Sequence, residues 1–508
     1  MSSTKQLKAG VFLSYLTLAL SNIIALTYTP FMLRMMGQSE YGLYSLVASV
    51  VAYLTILDFG FGNAIIRFTA KYRAENKHEE QYSLFGMFLI LYIAIGILSF
   101  IIGLVLYNNV DTLFSGSMTV EELSKARVMI LLLVINISIT FPLSIFPSIV
   151  IAYENFIFNK VINIIRILLQ PCLMIPLLLL GYKAIGMVVI TTILNLLTLL
   201  SSCWYCFYKL KIKLYINNLD WSLMKEISGY SFYVFLAIIV DRAFWSTGQF
   251  ILGILCGTTE VAIYAIVVQL CTYYMSFSLA ISGVFLPKIT KLITAGESIS
   301  DISNMFIKIG RIQYIVLAYI LVGFILFGKT FVFYWAGKGY ESVYFLTLLI
   351  MIPQTVPLIQ NLGISVLQAQ NRQKFRSVLY IIISLFCVFI SFILSKKYGV
   401  VGCAVSTGLT LFVGHGIIMN VYYQKKIQLN ILQFWKQIFK LSLPISLVFF
   451  LSYGVIKLIP SSSLLVVLAE ICIYSIVYIV LVWFLGCNSY EKDQIKRPIM
   501  NLKLKLGF

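Results

Sequence analysis

The chain has 508 residues, of which 60% are hydrophobic and 11% charged, with a mean hydropathy of +0.94. Soluble domains carry about 25% charged residues, so this composition excludes a water-facing globular body and points to a protein that crosses the membrane many times. The formal net charge of +19 would speak for a nucleic-acid partner only if the cations clustered away from the apolar runs, and most fall in the short stretches between them.

Runs of about 20 apolar residues, enough to cross a hydrocarbon core, occur fourteen times. Span 1, 11 to 33, is too long for a signal-peptide core and lacks a small-residue cleavage site; it carries Asn22 with Ser14, Thr17, Ser21 and Tyr28 nearby. Span 2, 42 to 66, holds Asp58 followed by Gly60 and Gly62, and Arg67 stands just beyond it. Spans 3 and 4 run 84 to 107 and 127 to 152, the latter with Pro142 and Pro147. Span 5, 160 to 180, contains Arg166, Pro171 and Pro176, and span 6, 183 to 208, ends on Cys203-Trp-Tyr-Cys206.

Span 7, 229 to 256, has Asp241-Arg242 near its middle. Helical spacing puts Ser246 and Gln249 on the stripe of Arg242, at i+4 and i+7. Span 8, 260 to 285, adds Gln269, Thr272 and Ser276. Span 9 covers 309 to 334, span 10 343 to 367 with Pro353 and Pro357, span 11 376 to 395, and span 12 399 to 423 with His415. Spans 13 and 14, 439 to 459 and 463 to 486, close the series, the last with Glu470.

An even count places both termini on one side. That side carries 27 Lys and Arg, the other 9, so the positive-inside rule puts both termini in the cytoplasm of a cell-membrane protein. Cations beside anionic headgroups account for the basic pI, and no nucleic-acid partner is needed. The longest loop is about twenty residues, which leaves no extramembrane catalytic domain and weighs against a membrane-embedded ligase or polymerase.

The chain repeats itself. Gly37-Gln-Ser-Glu40-Tyr-Gly-Leu-Tyr44 aligns without a gap on Gly257-Thr-Thr-Glu260-Val-Ala-Ile-Tyr264, and Tyr182 through Gly186 aligns on Tyr398 through Gly402. Both windows give nearly the same offset. We therefore expect an all-α fold of two six-helix lobes, 1–215 and 216–430, with spans 13 and 14 and a basic tail in 431–508. Six spans per repeat keep both lobes in one orientation, related by a pseudo-twofold along the membrane normal, and such lobes can rock about a midplane site.

Ionisable side chains inside spans are costly and tend to face the bundle interior or a wet cavity. The candidate cavity residues are Arg242, Asp241, Ser246, Gln249, Asn22, Gln269, Arg166 and Arg67, with Asp58 and Asp241 as candidates for coupling to a proton or Na⁺. A guanidinium suits phosphate or pyrophosphate because its planar fork of donors keeps its charge. A purely structural role for Asp241 with Arg242, and for Asp58 and Arg166, stays open. Gly323 to Thr330 matches the phosphate-loop pattern, but it ends an apolar span and lacks the strand and helix that pattern requires. Cys203 and Cys206 lie outside any βαβ context. With two histidines and scattered cysteines, neither a metal site nor a catalytic constellation is expected.

The segment Leu57-Asp58-Phe-Gly60-Phe-Gly-Asn-Ala-Ile-Ile-Arg67-Phe, together with Asp241-Arg242, Leu252-Gly253 and Val261-Ala-Ile-Tyr-Ala265, resembles the polysaccharide flippases of the multidrug/oligosaccharidyl-lipid/polysaccharide exporter superfamily. The resemblance covers nearly the whole chain. It implies a cationic cavity open to one side at a time, and drive by a proton or Na⁺ gradient or the membrane potential, with neither a cofactor nor ATP. The implied substrate is an undecaprenyl-pyrophosphate-linked oligosaccharide moved from the cytoplasmic to the outer leaflet for O-antigen, capsule or exopolysaccharide synthesis, beside glycosyltransferases and a polymerase. The spans hold only two arginines deep enough to count as buried, Arg166 and Arg242, so a strongly cationic cavity would borrow Arg34, Arg67 or Arg127 from near the interfaces. The alternatives are a cation-coupled exporter of small molecules or drugs and a lipid II flippase.

Overall fold

The computed structural model describes residues 3–216, 221–370, 372–458, 464–494 and 496. Among them the protein is all-α, with no strand. A chain in lipid must satisfy its own backbone N–H and C=O groups, and a helix does so within each apolar run. Among the described residues twelve helices are long and apolar enough to cross a membrane, or thirteen when the bent pair Val234–Trp245 and Thr247–Leu255 is taken as one span. The sequence leads to fourteen. The difference lies in Gln373–Ile427, a 55-residue stretch counted once. Within it Gly399 has φ 54 and ψ −135, and Ser395 Oγ lies 3.1 Å from Cys403 Sγ. Eight residues of straight helix would hold those atoms about 12 Å apart, so the chain turns sharply at this glycine.

The chain packs as two compact units, Met1–Ala265 with Ser384–Cys403, and Ile266–Ile383 with Ala404–Phe508. In the first unit, span 2 runs Gln38–Ala52, tightens into a 3-10 turn at Tyr53–Asp58 and restarts as Phe61–Ala74. Phe59 and Gly60 between them are left-handed, with φ 50 and 74. A Cβ on Gly60 would stand 2.5 Å from Val234 Cγ1 of span 7, so both the backbone and the approach of the neighbouring helix require glycine. Span 7 is itself broken, bending 42° between Trp245 and Thr247. The Tyr53 hydroxyl, at the start of the break in span 2, donates to Thr247 Oγ1 at 2.5 Å, just past the break in span 7.

Aromatic side chains fill the space around this junction: Phe61, Phe68, Phe85, Phe88, Tyr92 and Phe141 are all buried. The prolines act unequally. Pro142 and Pro147 flank a break at Ser144, between Val120–Leu143 and Ile145–Ala152. Pro171 and Pro176 sit inside the continuous helix Phe156–Leu179, and the helix Ser342–Ile359 passes through Pro353 and Pro357 before ending at Gln360.

The second unit is built on Ile299–Ala336, a 38-residue helix. The last two spans, Ile431–Leu458 and Leu464–Leu481, dock on it. Apolar contact alone drives little association in lipid, where the solvent is equally apolar, so close packing and interhelical hydrogen bonds carry more of it. They are present along the whole seam. Tyr314 and Ser442 share a hydrogen bond at 2.7 Å, Tyr478 donates to the Ile315 carbonyl at 2.7 Å, Tyr474 to the Tyr319 carbonyl at 2.6 Å, and Tyr319 pairs with Ser475 at 2.8 Å. At the end of the seam Arg311 and Glu491, 4% and 2% exposed, form a bidentate ion pair at 2.6 and 3.0 Å. Arg311, at the very start of span 9 by sequence, is thus a buried and paired cation.

Candidate functional site

The polar interior of the first unit is assembled from spans 4, 5 and 6. Arg166 projects from Phe156–Leu179, and its Nη1 donates to Asn195 Oδ1 of Ala184–Tyr208 at 3.3 Å. The Asn195 amide nitrogen donates in turn to Asn136 Oδ1 at 3.0 Å and to Thr140 Oγ1 at 2.8 Å, both on Val120–Leu143. Asn136 and Thr140 are one helical turn apart and linked at 3.4 Å. With both amide protons engaged, Asn195 can offer Arg166 only its oxygen, so the network sets the amide and aims the guanidinium. Among the described residues no carboxylate pairs with Arg166. A guanidinium has five N–H donors, and those left over, with an uncompensated charge, suit an anion.

Asp58 lies elsewhere in the same unit. Its Oδ1 accepts from the Tyr92 hydroxyl at 2.9 Å, at the point where span 2 loses its helical ladder. Asp58 and Arg166 do not pair with each other. Among the described residues Asp241 and Arg242 form no ion pair either; Asp241 is exposed, and Arg242 is half-buried with its Nε shielded from solvent and without a hydrogen-bond partner there. Ser246 is buried at the bend of span 7 and Gln249 is half-buried one turn further on. The Thr247 hydroxyl, which Tyr53 meets, also donates to the Arg242 carbonyl at 3.4 Å. The structure therefore places Arg242 just before a break that span 2 braces.

Of the other candidates, Asn22 is half-buried on span 1 and Arg67 is exposed on Phe61–Ala74, 5.9 Å from the Phe68 ring centre. Arg127 pairs with Asp111, which neutralises a cation the cavity was expected to borrow. Gln269 belongs to the second unit, where its amide meets the Tyr273 hydroxyl. His415 sits in a π-helical stretch of that unit, its Nδ1 2.9 Å from the Tyr380 hydroxyl. Sequence reasoning missed Asn136, Thr140, Asn195 and Tyr92. The spacing of Asn136 and Thr140 at i and i+4 within an apolar span is the available signal; the polar residues singled out in the sequence lie instead on spans 1, 7 and 8, around Asp241 and Arg242 and their counterparts.

Comparison with known proteins bears on this arrangement. A family described as "Polysaccharide biosynthesis protein" matches residues 7–293. A putative O-antigen transporter of Shigella flexneri is 20% identical over 420 residues, covering 80% of this chain and 94% of its own length. Among solved structures, the lipid II flippase MurJ in an inward closed conformation superposes with a TM-score of 0.65 at 17% identity, over 97% of this chain and 99% of the flippase. An inward-facing multidrug transporter of the MATE family, in the MOP superfamily, gives 0.64 at 13% identity, over 82% of this chain and 96% of the transporter. At such identities the likeness concerns the fold.

Proposed function

The chain belongs to the polysaccharide biosynthesis protein family, and from that premise we propose that it is a flippase carrying polyprenyl-pyrophosphate-linked oligosaccharides from the cytoplasmic to the outer leaflet of the cell membrane. The observation that carries the reading is the extent of the likeness: the fold of the lipid II flippase covers 97% of the chain, that of the multidrug transporter 82%. The name of the Shigella relative points the same way.

In this reading the chain has fourteen spans, obtained by taking the bent pair as one and dividing Gln373–Ile427 at Gly399. Both termini are cytoplasmic, as the split of 27 to 9 cations favours. Lobes 1–215 and 216–430 alternate access, with 431–508 as an appended pair and tail. Arg166, aimed by Asn195, and Arg242, beside the bend of span 7, receive the pyrophosphate through charge-assisted hydrogen bonds. Asp58 and Asp241 couple the cycle to a proton or Na⁺, and no covalent chemistry is performed on the sugar. Glycosyltransferases supply the lipid-linked unit and a polymerase consumes it.

The test is translocation of a labelled polyprenyl-pyrophosphate oligosaccharide in proteoliposomes, with and without imposed proton, Na⁺ or voltage gradients. Flipping that responds to a gradient supports the assignment. A lipid II arm separates that substrate from an oligosaccharide carrier. Uptake of small organic cations with no flipping of either lipid would replace the assignment with drug export, the second reading favoured by the TM-score of 0.64 to the multidrug transporter.

A further inference from the structure

Three segment ends of the second unit border an open cleft of about 440 Å³. They are the start of Ile299–Ala336, the residues Gln370 and Arg372 between Leu362–Ala369 and Gln373–Leu411, and the end of the π-helical stretch Tyr423–Ile427. Ile299, Gln370, Arg372, Lys426, Ile427 and Gln428 line it. Two of these are cations and none is an acid. Asp301, in the first turn of Ile299–Ala336 and two residues from the lining Ile299, is engaged by the Ser298 hydroxyl at 2.6 Å.

The lining is organised. Arg372 Nη1 donates to the Lys426 carbonyl at 3.0 Å, which ties the two cationic residues together across 54 positions of chain. The other guanidinium donors meet no protein acceptor among the described residues. Gln428 holds the turn below them in a left-handed conformation, φ 64. Gln370 Oε1 is buried with no donor facing it. A buried acceptor left alone costs about 1–3 kcal/mol, and a ligand hydroxyl would relieve that cost. The cleft therefore asks for two things in one molecule: negative charge for Arg372 and Lys426, and a hydroxyl for Gln370.

We propose that this cleft is a binding site for a hydroxyl-bearing phosphate ester of the glycerol-phosphate kind. The phosphate oxygens take the Arg372 fork and the Lys426 ammonium, and the hydroxyl donates to Gln370 Oε1. The volume lies in the range of small-ligand pockets, about 300–1,000 Å³. Two sources carry that chemistry, the headgroup of phosphatidylglycerol in the leaflet beside these helix ends and a soluble glycerol phosphate. The site lies wholly within one unit and does not depend on the transported substrate.

The experiment uses the full-length protein in phosphatidylcholine nanodiscs doped with phosphatidylglycerol, reading retained lipid by native mass spectrometry. In parallel, unfolding midpoints are recorded with sn-glycerol 3-phosphate added. Substituting Arg372→Gln with Lys426→Gln should weaken binding of whichever probe binds by about thirtyfold, the worth of two cations near a charged headgroup. Retention of phosphatidylglycerol unaffected by glycerol phosphate identifies the lipid as the source, and a midpoint shift that the double variant loses identifies the soluble ester. Gln370→Leu should weaken phosphatidylglycerol while leaving phosphatidic acid, which lacks the free hydroxyls, unchanged; equal weakening of both overturns the hydroxyl assignment. Should the double variant misfold, Lys426→Gln alone, at an exposed side chain, is read instead. Unchanged binding in these variants, or equal loss in a Lys288→Gln, Lys291→Gln control elsewhere on the unit, overturns the proposal.

Discussion

Arg166 and Arg242 are both arginines within spans, but they differ in support. Arg166 is held by Asn195, which is itself held by Asn136 and Thr140, so the chain fixes one of its nitrogens before any ligand arrives. If its task is to grip a planar anion, charge alone will not suffice. Arg166→Lys should lower the flipping rate in proteoliposomes by about tenfold while Arg166→Ala abolishes it, because an ammonium keeps the charge and loses the fork. Asn195→Leu should fall between them, since the guanidinium remains but is no longer aimed; wild-type rates in that variant would remove the network from the site. Arg242→Ala should abolish transport with expression and membrane insertion intact, as measured by the same flipping assay on equal amounts of purified protein.

Two spans in the first unit, and one ion pair in the second, make the elements more than apolar cylinders. The break in span 2 rests on Gly60, where a side chain would meet both a left-handed backbone and Val234. Gly60→Ala should destabilise the protein by about 1–2 kcal/mol from the backbone alone, with a steric cost added. Combining it with Val234→Ala should recover the steric part and leave the backbone part, as read from thermal unfolding midpoints in detergent. Arg311→Ala should cost more, about 3–5 kcal/mol, because it strands Glu491 in the interior; replacing both residues by methionine should restore most of the loss. The apolar runs that give these helices were plain in the sequence, since crossing a bilayer leaves few alternatives to a long apolar helix. Their breaks were less so. Gly60 and the Pro142–Pro147 pair mark real interruptions, whereas Pro171 and Pro176 do not, because neighbouring groups decide whether a proline bends its helix. The bend of span 7 has no proline or glycine at Ser246 to announce it, and Tyr53, which braces it, is 194 residues away.

At the scale of the whole molecule, composition and charge placement sufficed for a helical membrane protein with short loops, and the motif around Asp58 for the family. Neither could reveal which polar residues converge, because Asn195 and Asn136 look like ordinary polar interruptions until spans 4 and 6 are placed side by side. Nor could they show that the last two spans are hydrogen-bonded along Ile299–Ala336. That seam predicts that a protein ending at residue 430 will not behave as a twelve-span transporter. It should yield little monodisperse protein on size exclusion, since Arg311, Tyr314 and Tyr319 would lose their partners together; a well-behaved truncated protein would show the seam to be dispensable. The same seam also sets an order of events in biosynthesis. Glu491 follows Arg311 by 180 residues, so at about 5–20 residues per second the ribosome needs roughly 10 to 35 s to deliver it. Throughout that interval Arg311 lacks the carboxylate that neutralises it in the finished fold, so the seam cannot close until the residues beyond the last span have been made.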